Sequence, residues 1–449
     1  MPVLQKKPKS MKPARTLALG FLIIIIIGAA LLCLPFSSKT GRFTNFIDCV
    51  FTAASATCVT GISLFDTFTH WTYFGQSVIM LLIQIGGLGF VTLVTFFNIA
   101  LGKKIGLVKA SEVTGDVTVN GIESTRRLFI RIITYSFTIE GFGALLLGLA
   151  FVPRYGGYGV FMAVFMAISA FCNAGFDLMG VDPHGMESIT DNPLIMLTLS
   201  LLIFMGGIGF VVWENLAGIK KTKKLYFHSK VVLSVSGILI AVGFVGYFLI
   251  EKLNPYLYGH LSFGENLLTS FFASVSSRTA GFAPIPLPTT NAFSKVFTMA
   301  LMFIGVGPGS TGGGIKVTTF LIMIATAWSV IKNKEDTEIL KHRIPKNVVY
   351  KTLTVLFLSA AFISASFIIV YVLNPQLDAL NILFEVMSSF TTTGFTAGVS
   401  DLVDPVSKVV LALTMYVGRI GPVSIILSLT MNKPDDKAKV LPVANIMVG

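Results

Sequence analysis

Four short segments of the chain end in a glycine and share the residues around it. They read Thr57-Cys58-Val59-Thr60-Gly61, Phe171-Cys172-Asn173-Ala174-Gly175, Ser277-Arg278-Thr279-Ala280-Gly281 and Phe390-Thr391-Thr392-Thr393-Gly394. A Phe stands ten residues before each glycine (Phe51, Phe165, Phe271, Phe384) and a small residue five before it (Ala56, Ala170, Ser276, Ser389). Ile62 or a Phe (Phe176, Phe282, Phe395) follows. The segments hold Thr, Asn, Ser and Gly but no acidic ring, so what they offer is backbone and hydroxyl oxygen. Glycine permits the backbone angles that turn successive carbonyls toward one axis, and carbonyls so arranged replace the water around a desolvated cation. The expected chemistry is cation coordination, by the carbonyls of Gly61, Gly175, Gly281 and Gly394 above all. Arg278 is the exception, because a guanidinium facing the axis would repel a cation; it is expected to point away, with Glu385 as one possible partner.

Such oxygens must be held at depth in an apolar surrounding, and the chain supplies one. Long apolar stretches flank each segment: Thr16–Leu34 and Trp71–Leu101, Leu128–Val152 and Leu194–Ala217, Val231–Ile250 and Val296–Val330, Val349–Leu373 and Val406–Leu429. A helix needs about 20 apolar residues to cross a bilayer. Four shorter stretches, Phe46–Ala56, Val160–Ala170, Asn266–Ser276 and Leu380–Ser389, suit a short helix that enters and returns on the same side. The pattern predicts an all-α polytopic membrane protein of four tandem helix–pore loop–helix repeats, residues 1–105, 106–225, 226–335 and 336–449. Eight transmembrane helices and four re-entrant pore helices would surround a pseudo-fourfold pore. Irregular backbone at membrane depth is tolerated only when buried in protein or lining an aqueous cavity. Short helices ending near the axis also aim the negative ends of their dipoles at it.

Composition agrees. Of 449 residues, 53% are hydrophobic and only 12% charged, with 38 Phe and a mean hydropathy of +0.79; soluble domains carry about a quarter charged residues. The net charge of +12 does not point to nucleic acid, because basic residues cluster between repeats: Lys6 to Arg15, Lys103 to Arg131, Lys220 to Lys230, Lys332 to Lys351 and Lys433 to Lys439. That is the positive-inside pattern. It places both termini in the cytoplasm and suits contact with anionic lipid or a cytosolic partner. The first apolar run exceeds the core of a signal peptide and reads as a retained helix. Cys33, Cys49, Cys58 and Cys172 show no metal-ligand spacing and read as small packing residues. No residues are placed for hydrolysis, so the chain is not read as an enzyme. Glu140, Glu214 and Glu385 lie in apolar runs, where pairing with basic residues is favoured over contact with an ion path.

A second echo follows each segment: Gly86-Gly-Leu-Gly89, Gly206-Gly-Ile-Gly209 and Gly418-Arg-Ile-Gly421, read as helix packing. The third repeat instead carries Gly305-Val-Gly307-Pro308-Gly309-Ser310-Thr311-Gly312-Gly313-Gly314-Ile-Lys316. With a cost of about 1 kcal/mol per interior Gly and about 3 for Pro, no straight helix runs through it, and a loop near mid-membrane is expected. Arg419 should reach similar depth, where an uncompensated Arg is a functional candidate, and could hold the loop through its carbonyls. Gly309 to Lys316 also mimics a phosphate-binding loop, but Ile315 separates Gly314 from the lysine and Val317 replaces the required Ser or Thr.

These residues resemble the Trk/Ktr/HKT superfamily of potassium transporters, most nearly the bacterial KtrB/KtrD type of membrane subunit. Thr57-Cys-Val-Thr-Gly61-Ile, Gln84-Ile-Gly-Gly-Leu-Gly-Phe90, Arg278-Thr-Ala-Gly281-Phe and Gly309-Ser-Thr-Gly-Gly-Gly-Ile-Lys316 carry the likeness, which covers nearly the whole chain. It implies potassium uptake across a bacterial cytoplasmic membrane and a homodimer. It also implies a cytosolic regulatory ring that binds nucleotide, with none bound on this chain. Gly61 corresponds to the potassium-permissive state, sodium dependence is typical of the family, and the loop at 305–316 matches its intramembrane gate. By the same analogy the apolar end, Leu441 to Gly449, supports dimerisation. An alternating-access cation/sodium symporter is the alternative, although such carriers often have inverted repeats and these run parallel.

Overall fold

The computed structural model describes residues 13–89, 122–252 and 261–429. The basic stretches at 6–12, 103–109 and 433–439, the second half of Trp71–Leu101, the boundary at 105 and the end segment 441–449 lie outside the described residues.

The order of long helix, short helix, glycine segment and second helix recurs along the chain. The first passage has α1 (Pro13–Cys33), α2 (Phe46–Thr57), α3 (Thr67–His70) and α4 (Tyr73–Leu88). The second has α5 (Ile122–Tyr155), α6 (Gly157–Phe171), α7 (Pro193–Gly207) and α8 (Phe210–Thr222). Next come α9 (Phe227–Lys252), α10 (Phe263–Ser276), α11 (Ala292–Phe303) and α12 (Val317–Ile331). The last has α13 (Lys346–Leu373), α14 (Ala379–Thr391), α15 (Pro405–Ile420) and α16 (Pro422–Leu429).

Local chemistry sets several starts. Asn45, Asp378 and Asp404 accept hydrogen bonds from the first turns of α2, α14 and α15. Ser262 and Glu265 form a reciprocal capping box on α10, and Pro193 and Pro405 occupy first-turn positions where no N–H is needed. The long helices turn apolar side chains outward: Leu145 is 71% exposed and Phe357 73%. That outward apolar surface suits lipid rather than water.

The helices pack in a cycle. α4 lies against α6, α7 against α10, α11 against α14, and α15 returns to α2. The chain's beginning and end are thereby brought together, and the central core gathers Phe51, Phe165, Phe272 and Phe384 with the small residues beside them.

Three features differ from the sequence reading. First, the chain is not wholly helical: Thr337–Ile339 (β1) and His342–Ile344 (β2) form an antiparallel hairpin. Leu340 and Lys341 turn it with φ of 48° and 64°, the two positive angles that match the strands' twist. Second, a break was expected in the third repeat alone, yet Leu194–Ala217 is bent by 99° between α7 and α8, and Val406–Leu429 is divided between α15 and α16. Gly89, Gly209 and Gly421 end α4, α7 and α15 with φ of 83°, 92° and 89°, backbone that glycine alone adopts readily. Third, α5, α9 and α13 are the single helices among the described residues long and apolar enough to cross a membrane. The bent α7–α8 pair makes a fourth. The expected span Thr16–Leu34 runs through the unbroken helix α1, whereas the breaks divide Leu194–Ala217, Val296–Val330 and Val406–Leu429 into shorter pieces.

Candidate functional site

The four glycine segments meet. A Cβ built on Gly61 would collide with the Ala174 carbonyl and lie 3.0 Å from the Gly175 Cα. One on Gly175 would lie 2.6 Å from the Ala280 carbonyl oxygen and 3.0 Å from the Gly281 Cα. Gly281 faces the Thr393 carbonyl and Gly394 in the same way, and Gly394 faces the Thr60 carbonyl and Gly61. The succession closes on itself. No side chain larger than hydrogen fits at any of the four points, which is a stronger requirement than the backbone angle alone.

The angles repeat as closely as the positions. Gly61, Gly175, Gly281 and Gly394 have φ of 96°, 71°, 77° and 98°. Two residues earlier, Val59, Asn173, Thr279 and Thr392 also have positive φ, at 58°, 58°, 72° and 51°. Thr60, Ala174, Ala280 and Thr393 between them do not. Alternating handedness turns successive peptide planes so that their carbonyls can share one side. A left-handed Val or Thr costs about 1–2 kcal/mol, so the surrounding structure imposes this conformation.

That support includes residues which the sequence reading passed over. Ser55, Ser169 and Ser388 each stand six residues before the glycine. The carbonyls of all three accept the N–H of the residue before the glycine, at 2.7–3.0 Å. Ser55 Oγ and Ser388 Oγ accept the glycine N–H, each at 3.1 Å, whereas Ser169 Oγ donates to the Phe176 carbonyl at 2.6 Å. In the third segment Val275 takes that position and Ser276 Oγ donates to the Phe282 carbonyl at 2.6 Å instead. Thr57, Thr60 and Thr279 hold buried hydroxyls with no protein partner. Cys58 and Cys172 are wholly buried beside them.

Arg278 is 4% exposed, with its Nε and Nη1 unpartnered, and the pairing with Glu385 does not occur. Glu385 instead accepts the Ala397 N–H at 3.1 Å and the Thr396 hydroxyl at 3.2 Å, supporting the chain just beyond Gly394. Carboxylate and guanidinium side chains can be adjacent in an apolar run without meeting, because backbone donors nearer the acid capture it. Glu214 pairs with Arg131, and Glu140 accepts from the Gln84 amide at 3.0 Å.

The glycine-rich loop lies against this ring and is held by the second, third and fourth passages directly and by the first through Arg419. Gly305 N donates to the Ile315 carbonyl at 2.9 Å and closes the loop's neck. Gly307 N donates to the Gly207 carbonyl at 2.9 Å, and the Gly309 carbonyl accepts the Phe210 N–H at 2.9 Å. Thr311 Oγ1 donates to the Phe171 carbonyl at 3.1 Å. Gly312 abuts Thr279 without room for a Cβ, and Gly313 N donates to Thr392 Oγ1 at 3.0 Å. Arg419 donates to the carbonyls of Thr311 and Gly86, spanning from the loop to the first passage. Lys316 Nζ turns back onto the Gly312 and Gly313 carbonyls at 2.7 and 3.1 Å. Ser310 Oγ is buried without a partner, and Gly314 has a φ of 65° beside Thr391.

On the ring's other side is a cavity of about 290 Å³, lined by Gly61, Gly175, Ser63 and the carboxylates of Asp66, Asp177 and Asp401. Burial pushes the Asp177 carboxyl up to about 6, against a bond from the Met179 N–H that favours its charge; nearby Asp66 adds to the rise. Three carboxylates around one cavity give it a negative field, which concentrates cations.

Comparison with known proteins converges on one family. The family model described as TrkH, cation transport protein, matches residues 5–440. The potassium/sodium uptake protein NtpJ of Enterococcus hirae is 35% identical over 456 residues, covering 100% of both chains. The Ktr system potassium uptake protein B of Bacillus subtilis is 38% identical over 421 residues, covering 93% of this chain and 92% of its own. The solved potassium transporter TrkH of Vibrio parahaemolyticus shares the fold, with a TM-score of 0.75 at 18% identity, over 95% of this chain and 86% of that one. A transport protein needs no catalytic constellation, and the site is one of oxygens and charge rather than nucleophiles. With a match of that extent, this chain belongs to the TrkH family of cation transport proteins, which are membrane transporters and not enzymes.

Proposed function

We propose that the chain takes up potassium ions across the bacterial cytoplasmic membrane through a pore whose selectivity filter is the ring at Gly61, Gly175, Gly281 and Gly394. The observation that carries this reading is the closed succession of four glycines with alternating backbone handedness. Each passage is then a pore repeat, bounded as 1–105, 106–225, 226–335 and 336–449, with its short helix re-entrant. The filter residues are Thr57 to Gly61, Cys172 to Gly175, Arg278 to Gly281 and Thr391 to Gly394. Backbone oxygens strip and replace the ion's water, and the unpartnered hydroxyls of Thr57, Thr60 and Thr279 offer further oxygen. Both relatives, from Enterococcus hirae and Bacillus subtilis, are named as potassium uptake proteins, which supports potassium as the cargo; one is named for sodium as well, which supports a role for sodium.

The loop at 305–316 is the gate. It packs directly against Thr279 and Thr392, and Arg419 fastens it to the first repeat. A homodimer with both termini cytoplasmic, regulated by a cytosolic nucleotide-binding ring, is the assembly this reading favours; the relative's name places it in a multi-component Ktr system. Expression in a bacterium lacking potassium uptake tests the proposal. Restored growth at low potassium is expected, lost selectivity over sodium in Gly61→Ser, and raised flux on deleting Gly309 to Gly313. Failure to restore growth with the cognate partner subunit present would overturn potassium uptake, and unchanged flux in the deletion would overturn the gate.

A further inference from the structure

The four cysteines are not equivalent. Cys58 and Cys172 lie within the ring segments and are 0% exposed. Cys33 ends α1 and Cys49 begins α2, and the structure brings this second pair together. Their thiols converge on one acceptor: Cys33 Sγ lies 3.2 Å and Cys49 Sγ 3.9 Å from the Thr44 carbonyl oxygen. Cys33 is half-buried while Cys49 is fully buried, so one sulfur can be reached and the second stands behind it. That is the arrangement of an attacking and a resolving thiol.

We infer that Cys33 and Cys49 form a redox modification site, closing a reversible disulfide that staples α1 to α2. With a peroxide as oxidant, the Cys33 thiolate attacks one peroxide oxygen; the O–O bond breaks, leaving a sulfenic acid and a hydroxide, which takes up the proton the Cys33 thiol released and becomes water. The Cys49 thiol then attacks the Cys33 sulfur, the S–O bond breaks, and a second water leaves with the Cys49 proton. Two thiols lose two electrons and two protons, and the peroxide takes both. A dithiol reductant reverses the bond by exchange. α2 leads directly into Thr57–Gly61, so, on the function proposed above, the staple fixes the support of the first filter segment.

The full chain in lipid vesicles tests this. After hydrogen peroxide and denaturation, maleimide labelling should find two of the four thiols lost, restored by dithiothreitol, with a linked Cys33–Cys49 peptide lighter by two hydrogens. C33S and C49S should each keep all remaining thiols under the same treatment. Phenylarsine oxide, a trivalent arsenical that bridges two adjacent thiols, should add to the untreated protein and to neither variant. Four thiols surviving peroxide, the same loss in C33S, or sulfinic acid at Cys33 in place of the linked peptide would each overturn the proposal. Because the readout is mass and thiol number, it fails or stands independently of potassium uptake measured on the same vesicles.

Discussion

Ser55 and Ser388 each spend their hydroxyl on the N–H of a ring glycine, a job that no other described side chain performs at those two points. Ser55→Ala strands a buried N–H, which costs about 1–3 kcal/mol, and frees Gly61 to shift. Lower thermal stability with a narrowed preference for potassium over sodium is expected from paired melting and competition-uptake measurements; unaltered selectivity would reduce Ser55 to a packing residue. At the vestibule the charge of Asp177 sets a pH dependence. Its carboxyl is raised to about 6 by burial, so its contribution to stability is full below the ordinary carboxylate range near 4 and is lost as pH rises through about 6. Ion entry should run the opposite way, because the ionised carboxylate attracts cations. Uptake at low potassium should climb as the outer pH rises from about 5 to about 7, and Asp177→Asn should flatten that rise. The glycines were legible because registered repetition exposes them, and the serines stood at an equally fixed distance but look like ordinary small residues. The possible pairing of Arg278 with Glu385 failed for a different reason: the acid is taken by the Ala397 N–H and the Thr396 hydroxyl, donors whose approach spacing does not reveal.

At the scale of elements, the glycine breaks decide the shape of the second helices. Six glycines and a proline between 305 and 314 announce a loop, since their summed helix cost far exceeds what packing returns. Gly209 and Gly421 close the short glycine clusters Gly206-Gly-Ile-Gly209 and Gly418-Arg-Ile-Gly421, each glycine costing about 1 kcal/mol in a helix, and such clusters read equally well as sites of close helix packing. The bend at Gly209 exists because the loop needs the space: Phe210 N–H bonds the Gly309 carbonyl, and a Cβ on Gly209 would strike the Pro308 carbonyl. Gly209→Ala therefore meets both a forbidden φ and a backbone collision. A loss of at least about 1–3 kcal/mol is expected as a lowered melting temperature, together with raised flux through a loosened loop. If the variant melts like the parent, the α7–α8 bend is not held by the loop. The β1–β2 hairpin was equally hidden, because Leu340 and Lys341 are not the Asn-Gly or Asp-Gly pair by which such turns are usually read.

For the whole molecule the central question is how one polypeptide closes a ring without being covalently circular. Packing of α15 on α2 supplies the area, and one ion pair supplies the register: Lys408 Nζ lies 2.9 Å from Asp48 Oδ1, with both side chains about 15% exposed. The same geometry occurs one step back in the cycle. Lys295 stands as far beyond Gly281 as Lys408 does beyond Gly394, and its ammonium bonds Asn381 Oδ1 at 2.7 Å and the Pro288 carbonyl at 3.2 Å. Each lysine thus reaches from a second helix to the first turn of the next short helix. The third-to-fourth step has the chain's own connection to restrain it, whereas the fourth-to-first step has none. Asp48→Asn should cost about 1.5–3 kcal/mol, the scale of a hydrogen bond to a charged group, and should widen the ring at Gly394 and Gly61 more than Asn381→Ala disturbs Gly281 and Gly394. In a double-mutant cycle with Lys408→Met, the second change should add little to the first, both in melting temperature and in sodium leak. Additive losses would mean that the two side chains act separately, and that helix packing alone brings the ends of the ring together.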